Sequence, residues 1–167
     1  MPDPAPTTAR ADHHVAVRVS DIDRSIAFYR QALGARPLMV PSLRRGPLID
    51  EVFGPGAAAR MCFVALDGGS IELWQFLTPE TPIPESDQPR LGVMHFALTV
   101  DSVDDAAARV VAAGGRLRFP IKRFGSESSF VYCEDPDGNV FELLDADLDA
   151  TVARIVASDP SAALPGE

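Results

Sequence analysis

The sequence is poor in cysteine and histidine: 167 residues hold two of the first and three of the second. Cys62 and Cys133 cannot build a disulfide framework. Neither sits in a CxxC pair or beside an activating base, so both are expected to be small buried hydrophobes. No apolar run approaches the roughly 20 residues needed to cross a bilayer. The opening MPDPAPTTARAD has neither the basic start nor the apolar stretch of a secretory signal, so the expectation is a reducing cytoplasm. Basic residues are the minority, 15 Lys plus Arg against 24 Asp plus Glu, for a net charge of -9. That balance disfavours any partner held by a general electrostatic footprint, such as nucleic acid or an anionic membrane face. Against these absences, 46% hydrophobic and 23% charged content is enough for a buried core.

Pro, Ala and small polar residues without a period mark loose tails over the first twelve residues and the last ten. A similar stretch, TPETPIPESDQPR, reads as a linker over 78–90. It separates a first module, 13–77, from a second, 91–148, followed by a C-terminal helix and tail over 149–167. The helix is suggested by DADLDATVARIVA, with Leu148, Val152 and Ile155 on one face, available to a neighbour or to the chain itself.

The modules repeat one another. HVAVRVSDIDRSIAFYRQALG and HFALTVDSVDDAAARVVAAGG each run from an alternating strand to a helix stopped by glycine, with 13 positions from Asp21 to Gly34 and 13 from Asp101 to Gly114. Asp21 and Asp101 are expected as helix caps. Ile22, Ile26 and Ala27 in one half, and Val103, Ala107 and Val110 in the other, are expected on the buried faces. Asp67-Gly68 and Asp137-Gly138 mark hairpins, joining Met61–Leu66 to Ile71–Phe76 and Phe130–Glu134 to Val140–Leu144. A further strand is expected at 36–40 and at 116–119. Each half therefore reads βαβββ, an α+β pattern. The stretch from Pro41 to Arg60 reads as a long loop, a lid or arm.

Alternation puts His14 on the face opposite Val15, Val17 and Val19, and His95 opposite Phe96, Leu98 and Val100. Glu72 and Glu142 each stand five residues after the aspartate of their hairpin. A carboxylate in an apolar strand needs a cation or a proton. One strand histidine or one strand glutamate is most often structural. Two of each, at equivalent places of two repeats, are brought toward one point by approximate two-fold symmetry, and mixed N and O donors suit Fe(II), Ni, Co, Mn or Zn. His13 competes with His14 but falls on the other face.

These pieces, HHVAVRVSDIDRSIAFYRQALGARP, GGSIELWQF, MHFALTVDSVDDAAARVVAAGG and EDPDGNVFEL, resemble the vicinal oxygen chelate superfamily of glyoxalases, methylmalonyl-CoA epimerases, extradiol dioxygenases and bleomycin or fosfomycin resistance proteins. The resemblance covers His13 to Asp145. It implies two tandem modules in a cupped, incompletely closed mixed β-barrel, a divalent metal held by His14, Glu72, His95 and Glu142, and a homodimer. Dioxygenases and fosfomycin-type enzymes use two His and one Glu, here His14, His95 and Glu142. Bacterial glyoxalase I adds a Glu at the place of Glu72, and the epimerase has Gln there. Glu72 therefore points to the proton-transfer members.

The chemistry so implied is a metal-dependent isomerase, epimerase or lyase that takes a proton alpha to the carbonyl of a small metabolite through a metal-chelated enediolate. The base maps onto Glu142, then Glu72; an epimerase-like base would fall on Asp50 or Glu51. Arg18 and Thr99 share faces with the histidines, and Trp74 and Phe76 with Glu72, so these four are the candidate substrate contacts. The sparse basic pairs, Arg44-Arg45 and Lys122-Arg123, give little support for CoA. The rival readings are an Fe(II)-dependent dioxygenase and a non-catalytic drug-binding protein of the bleomycin resistance type.

Overall fold

The structure is a computed structural model and describes residues 13–80, 92–125 and 128–162. In chain order its elements are β1 (Val15–Arg18), α1 (Ile22–Leu33), β2 (Arg36–Pro37), β3 (Ser42–Arg45), α2 (Pro47–Phe53), β4 (Ala58–Leu66) and β5 (Gly69–Thr78). There follow β6 (Phe96–Thr99), α3 (Val103–Ala112), β7 (Arg116–Leu117), β8 (Lys122–Phe124), β9 (Ser128–Glu134), β10 (Val140–Leu144) and α4 (Leu148–Ser158). Most of the 78–90 linker, and the outer parts of both tails, lie outside the described residues.

The chain forms two βαβββ-like modules, each with its own open, mixed, five-stranded sheet. The first sheet runs β1-β5-β4-β2 and the second β6-β10-β9-β7, with β3 and β8 also pairing β4 and β9. β1 lies parallel to β5 and β6 parallel to β10, while the remaining pairings are antiparallel. The two edge strands break in the same way. β2 and β7 end after two residues, Leu38 and Arg118 each donate one more backbone hydrogen bond, to Phe63 and Tyr132, and β3 and β8 then resume the pairing. The continuous strands expected at 36–40 and 116–119 are therefore shortened to Arg36–Pro37 and Arg116–Leu117, each with one further backbone bond.

By packing, the chain divides into two compact units. One holds the described part of Met1–Ile22 with Arg36–Glu80, the other Asp23–Ala35 with the described part of Thr81–Glu167. In the first, Val17, Cys62, Val64, Ile71 and Leu73 are buried, as β-alternation requires. In the second, the body of α1 packs with the second sheet. Phe28 and Tyr29 place their rings 6.3 and 6.5 Å from that of Phe141, and the Tyr29 hydroxyl donates to Asp135 Oδ2 at 2.9 Å. Arg24 pairs with Asp137, and Arg109 Nε of α3 donates to the carbonyl of Ala32. The buried face of α1 is therefore Ile22, Ser25, Phe28, Tyr29 and Ala32. Ile26 is only half-buried and Ala27 is exposed, contrary to expectation, because the large aromatic side chains set the helix rotation.

α3 buries Val103, Ala106, Ala107 and Val110. Its cap is Ser102, which accepts from the Asp105 backbone N–H, and not Asp101: only the residue next to the first helical turn reaches its free donors. The stretch 41–60 is no open loop, since it holds β3 and α2. α2 starts on Pro47, which suits a first helical position, and its seven residues are too few to show a period. α4 begins on an Asp147 cap, with Leu148, Val152 and Ile155 exposed. Among the described residues, no helix is long and apolar enough to cross a membrane.

Candidate active site

In the first unit, the parallel register pairs Ala16 with Glu72, so His14, two residues earlier, stands on the same face beside that carboxylate. His14 Nε2 lies 3.3 Å from Glu72 Oε2. The ring of Phe63, the residue paired with Glu72 across the hairpin, meets the imidazole edge-on at 5.5 Å. His14 Nδ1 is 2.8 Å from His13 Nδ1, and the His13 carbonyl accepts from Ser70 Oγ at 2.8 Å. One of these two nitrogens donates and the other accepts. If His14 donates, its Nε2 presents a lone pair toward Glu72, the tautomer a metal ligand needs. His13 is thus the orienting neighbour of His14.

The second unit repeats the construction. β6 and β10 pair Ala97 with Glu142, and His95 precedes Ala97 by two residues. Its Nε2 lies 3.2 Å from Glu142 Oε2. Tyr132, paired with Glu142 across the hairpin, places its ring 4.6 Å from the imidazole. His95 Nδ1 is buried and has no hydrogen-bond partner among the described residues. Burial first, and the Glu142 charge second, raise the Tyr132 hydroxyl above its ordinary range, so the phenol stays protonated near neutrality.

Both separations fit a shared coordination sphere. Two donors about 2.1 Å from one ion, at right angles, lie about 3.0 Å apart. Among the described residues, no group of three or more His, Cys, Asp or Glu is gathered to hold one ion. The structure brings His14 to Glu72 and His95 to Glu142, and each pair supplies two donors.

The other candidate residues divide between the units. Trp74 and Phe76 stack at 6.0 Å, Phe53 of α2 packs 5.1 Å from each, and the Arg18 guanidinium lies 5.1 Å over Phe76. The face that carries Glu72 thus presents a cluster of half-buried aromatics from its own unit. In the second unit the corresponding face holds a cavity of about 340 Å³, which includes Glu142, Tyr132, Phe130 and Leu144 of the sheet and Thr151, Arg154 and Ile155 of α4. Thr99 is exposed beside it, as the strand partner of Leu144. Glu51 is exposed on α2, whereas Asp50 accepts from the Gly56 N–H at 2.9 Å and holds the turn after that helix. Both cysteines are buried; burial pushes the Cys133 thiol up to about 12, and Cys62 Sγ donates to the Met39 carbonyl. Phe63 faces Glu72 in the register that the two-residue Asp67-Gly68 turn imposes, whereas Tyr132 meets Glu142 because the second hairpin turns over the longer stretch 135–139. Nothing in the sequence singled out Arg154 or Thr151.

The sequence profile of the Glyoxalase/Bleomycin resistance protein/Dioxygenase superfamily matches residues 13–143, which include both modules and both His–Glu pairs. The chain belongs to that superfamily. Within and around it, the chain is 30% identical over 136 residues to the lactoylglutathione lyase of Salmonella typhimurium, covering 80% of this chain and 90% of that protein. It is also 30% identical over 133 residues to a probable chloroplastic lactoylglutathione lyase of Arabidopsis thaliana, of which it spans only 35%. Among solved structures, a glyoxalase family protein from Bacillus cereus superposes with a TM-score of 0.74 at 23% identity, over 84% of this chain and 97% of that one. The fosfomycin resistance protein FosX of Listeria monocytogenes, solved with Mn(II) and sulfate, superposes with a TM-score of 0.58 at 21% identity, over 87% and 99%. At these identities the solved structures establish the superfamily fold.

Proposed function

We propose that the chain is a metal-dependent isomerase, epimerase or lyase that removes a proton alpha to the carbonyl of a small metabolite. The observation that carries this reading is the duplicated pair, a histidine Nε2 and a glutamate Oε2 held 3.3 and 3.2 Å apart at equivalent places of two sheets. His14, Glu72, His95 and Glu142 would hold a divalent ion, and their mixed N and O donor set fits Ni, Co, Fe, Mn or Zn. Such an ion supplies Lewis acidity to two neighbouring substrate oxygens.

The chain's own groups do the rest. Glu142 opens onto the cavity and is the base, accepting the proton of a carbon held within about 3 Å. Glu72 is next in order and Glu51, exposed on α2, third. The protonated Tyr132 keeps the wall beside Glu142 uncharged. Arg18, Trp74, Phe76 and Thr99 are the substrate contacts of this reading. The lyase name of the relatives supports it and points to 2-hydroxyacyl thioesters as first substrates to try. The same reading carries a homodimer acting in the cytoplasm on a small molecule, without nucleic-acid or membrane partners, in keeping with the net charge of -9.

Metal analysis of purified protein, paired with deuterium exchange over alpha-hydroxyketones and acyl thioesters, tests the proposal. About one divalent ion per chain and metal-dependent exchange are expected, both lost in His95→Ala. Full activity in metal-free His95→Ala would overturn it. Oxygen consumption, with metal retained in Glu72→Gln, would favour the oxygenase instead.

A further inference from the structure

We propose that the cavity under α4 is a substrate pocket for a small, planar or aromatic carbonyl compound bearing an anionic group, and that Arg154 is the residue that holds that group. This rests on the reading above, in which Glu142 is the reacting carboxylate, and adds to it the class of molecule that Glu142 meets.

The cavity, about 340 Å³, is at the lower end of the range for small-molecule sites, large enough for one ring and its substituents. One wall is aromatic: Phe124 and Phe130 stack at 5.6 Å with planes 8° apart, and Tyr132, turned 67° from Phe130, stands edge-on between that stack and Glu142. A planar ring packs offset-stacked or edge-to-face against such side chains. The opposite wall is α4, which turns Thr151, Arg154 and Ser158 inward beside Ile155.

Arg154 places its guanidinium 4.4 Å over Phe124 and donates to Ser128 Oγ. Both of these partners are neutral, so neither cancels its charge. Glu142, the acid that lines the same cavity, stands against His95 at 3.2 Å. Thr151, one turn earlier on α4, lines the cavity with a buried Oγ1 that has no hydrogen-bond partner among the described residues. A half-buried guanidinium and an orphaned hydroxyl on one helix face are complementary to a carboxylate, which accepts from both. Residues three apart on a helix are neighbours on its surface, so one anion reaches the two donors together.

The test uses the full chain with two probes of matched shape: benzoylformate, which is anionic, and 1-phenyl-1,2-propanedione, which is neutral. Neither needs turnover to report binding. Calorimetric titration is expected to show benzoylformate binding at least about tenfold more tightly, in chelator-treated protein as well as in metal-loaded protein. Arg154→Ala should lose that preference while keeping its affinity for the dione and its metal content. Arg154→Lys, which retains charge and stem, should keep part of the preference even where the alanine variant loosens α4, and Thr151→Val should weaken it severalfold. Equal affinities for the two probes, or a preference unchanged in both Arg154 variants, would overturn the proposal. A protein that shows the Arg154 pattern but neither binds metal nor exchanges protons would sink the catalytic reading and leave this pocket standing.

Discussion

A histidine that offers Nε2 as a ligand needs its ring orientation fixed, by a partner on Nδ1 or by packing, and the two candidate histidines differ in this. His14 is held by His13, whose own backbone is fastened by Ser70, whereas His95 is held by ring packing on Tyr132 and has a buried Nδ1 without a partner. Beside the glutamates stands a phenylalanine in one unit and a tyrosine in the other, and the hydroxyl of Tyr132 is the chemical difference between them. Tyr132 and Tyr29 are the only tyrosines in the sequence, and both ionise above the ordinary value, Tyr29 chiefly by burial and then by the nearby Asp135 charge. A phenol whose folded pKa is raised contributes stability that is fully present below about pH 10 and is lost as pH rises through the folded value. Absorbance at 295 nm should therefore rise at higher pH in native protein than in the unfolded chain, together with a fall in the urea midpoint. A full two-tyrosine step centred on pH 10 with the fold intact would contradict the packing described. The four ligand candidates were legible in the sequence because strand alternation and the repeat both constrain them. Arg154 was not, because its significance depends on where a terminal helix docks.

At the scale of elements, α1 is fastened to the second sheet by two aromatic rings and one buried hydroxyl. Tyr29→Phe deletes the donor to Asp135 and should cost about 1–3 kcal/mol, read from the urea midpoint. Gly115 offers a stricter test of the same packing. A Cβ there would lie 2.6 Å from the Glu134 carbonyl oxygen, 2.8 Å from Val110 Cγ1 and 2.9 Å from Phe28 Cε2. Because one of those atoms is backbone in a sheet, Gly115→Ala should destabilise by about 1–3 kcal/mol, whereas a silent substitution would mean that α1 and α3 do not approach as described. The strands and the two long helices were readable from period and turn chemistry. The rotation of α1 was not, since Ile26 and Ala27 fit a helical period as well as Ser25 and Tyr29 do. Only the volume of the aromatics decides between those faces. α2 was hidden for a different reason: a seven-residue helix between two glycines looks like loop in any pattern of hydrophobicity.

For the whole molecule, the proposed ligand set makes a statement about stoichiometry. Four donors acting on one ion predict about one metal per chain, lost alike in His14→Ala and in His95→Ala. If each pair bound an ion by itself, either variant would retain half of the metal, and elemental analysis separates the two cases. Neither thiol enters this chemistry, since both are buried and Cys133 is held as the unreactive thiol.

The elements beside the two sheets differ in their place along the chain. Phe53, which packs on the first face, belongs to a helix inserted inside its own repeat, while α4 follows the second repeat and adds nothing to its strands. The repeat that carries the histidines and glutamates is complete without α4. Changes in that appendage can then alter which molecule is accepted while the inherited donors stay untouched, so preference and chemistry are free to evolve at different rates in this lineage.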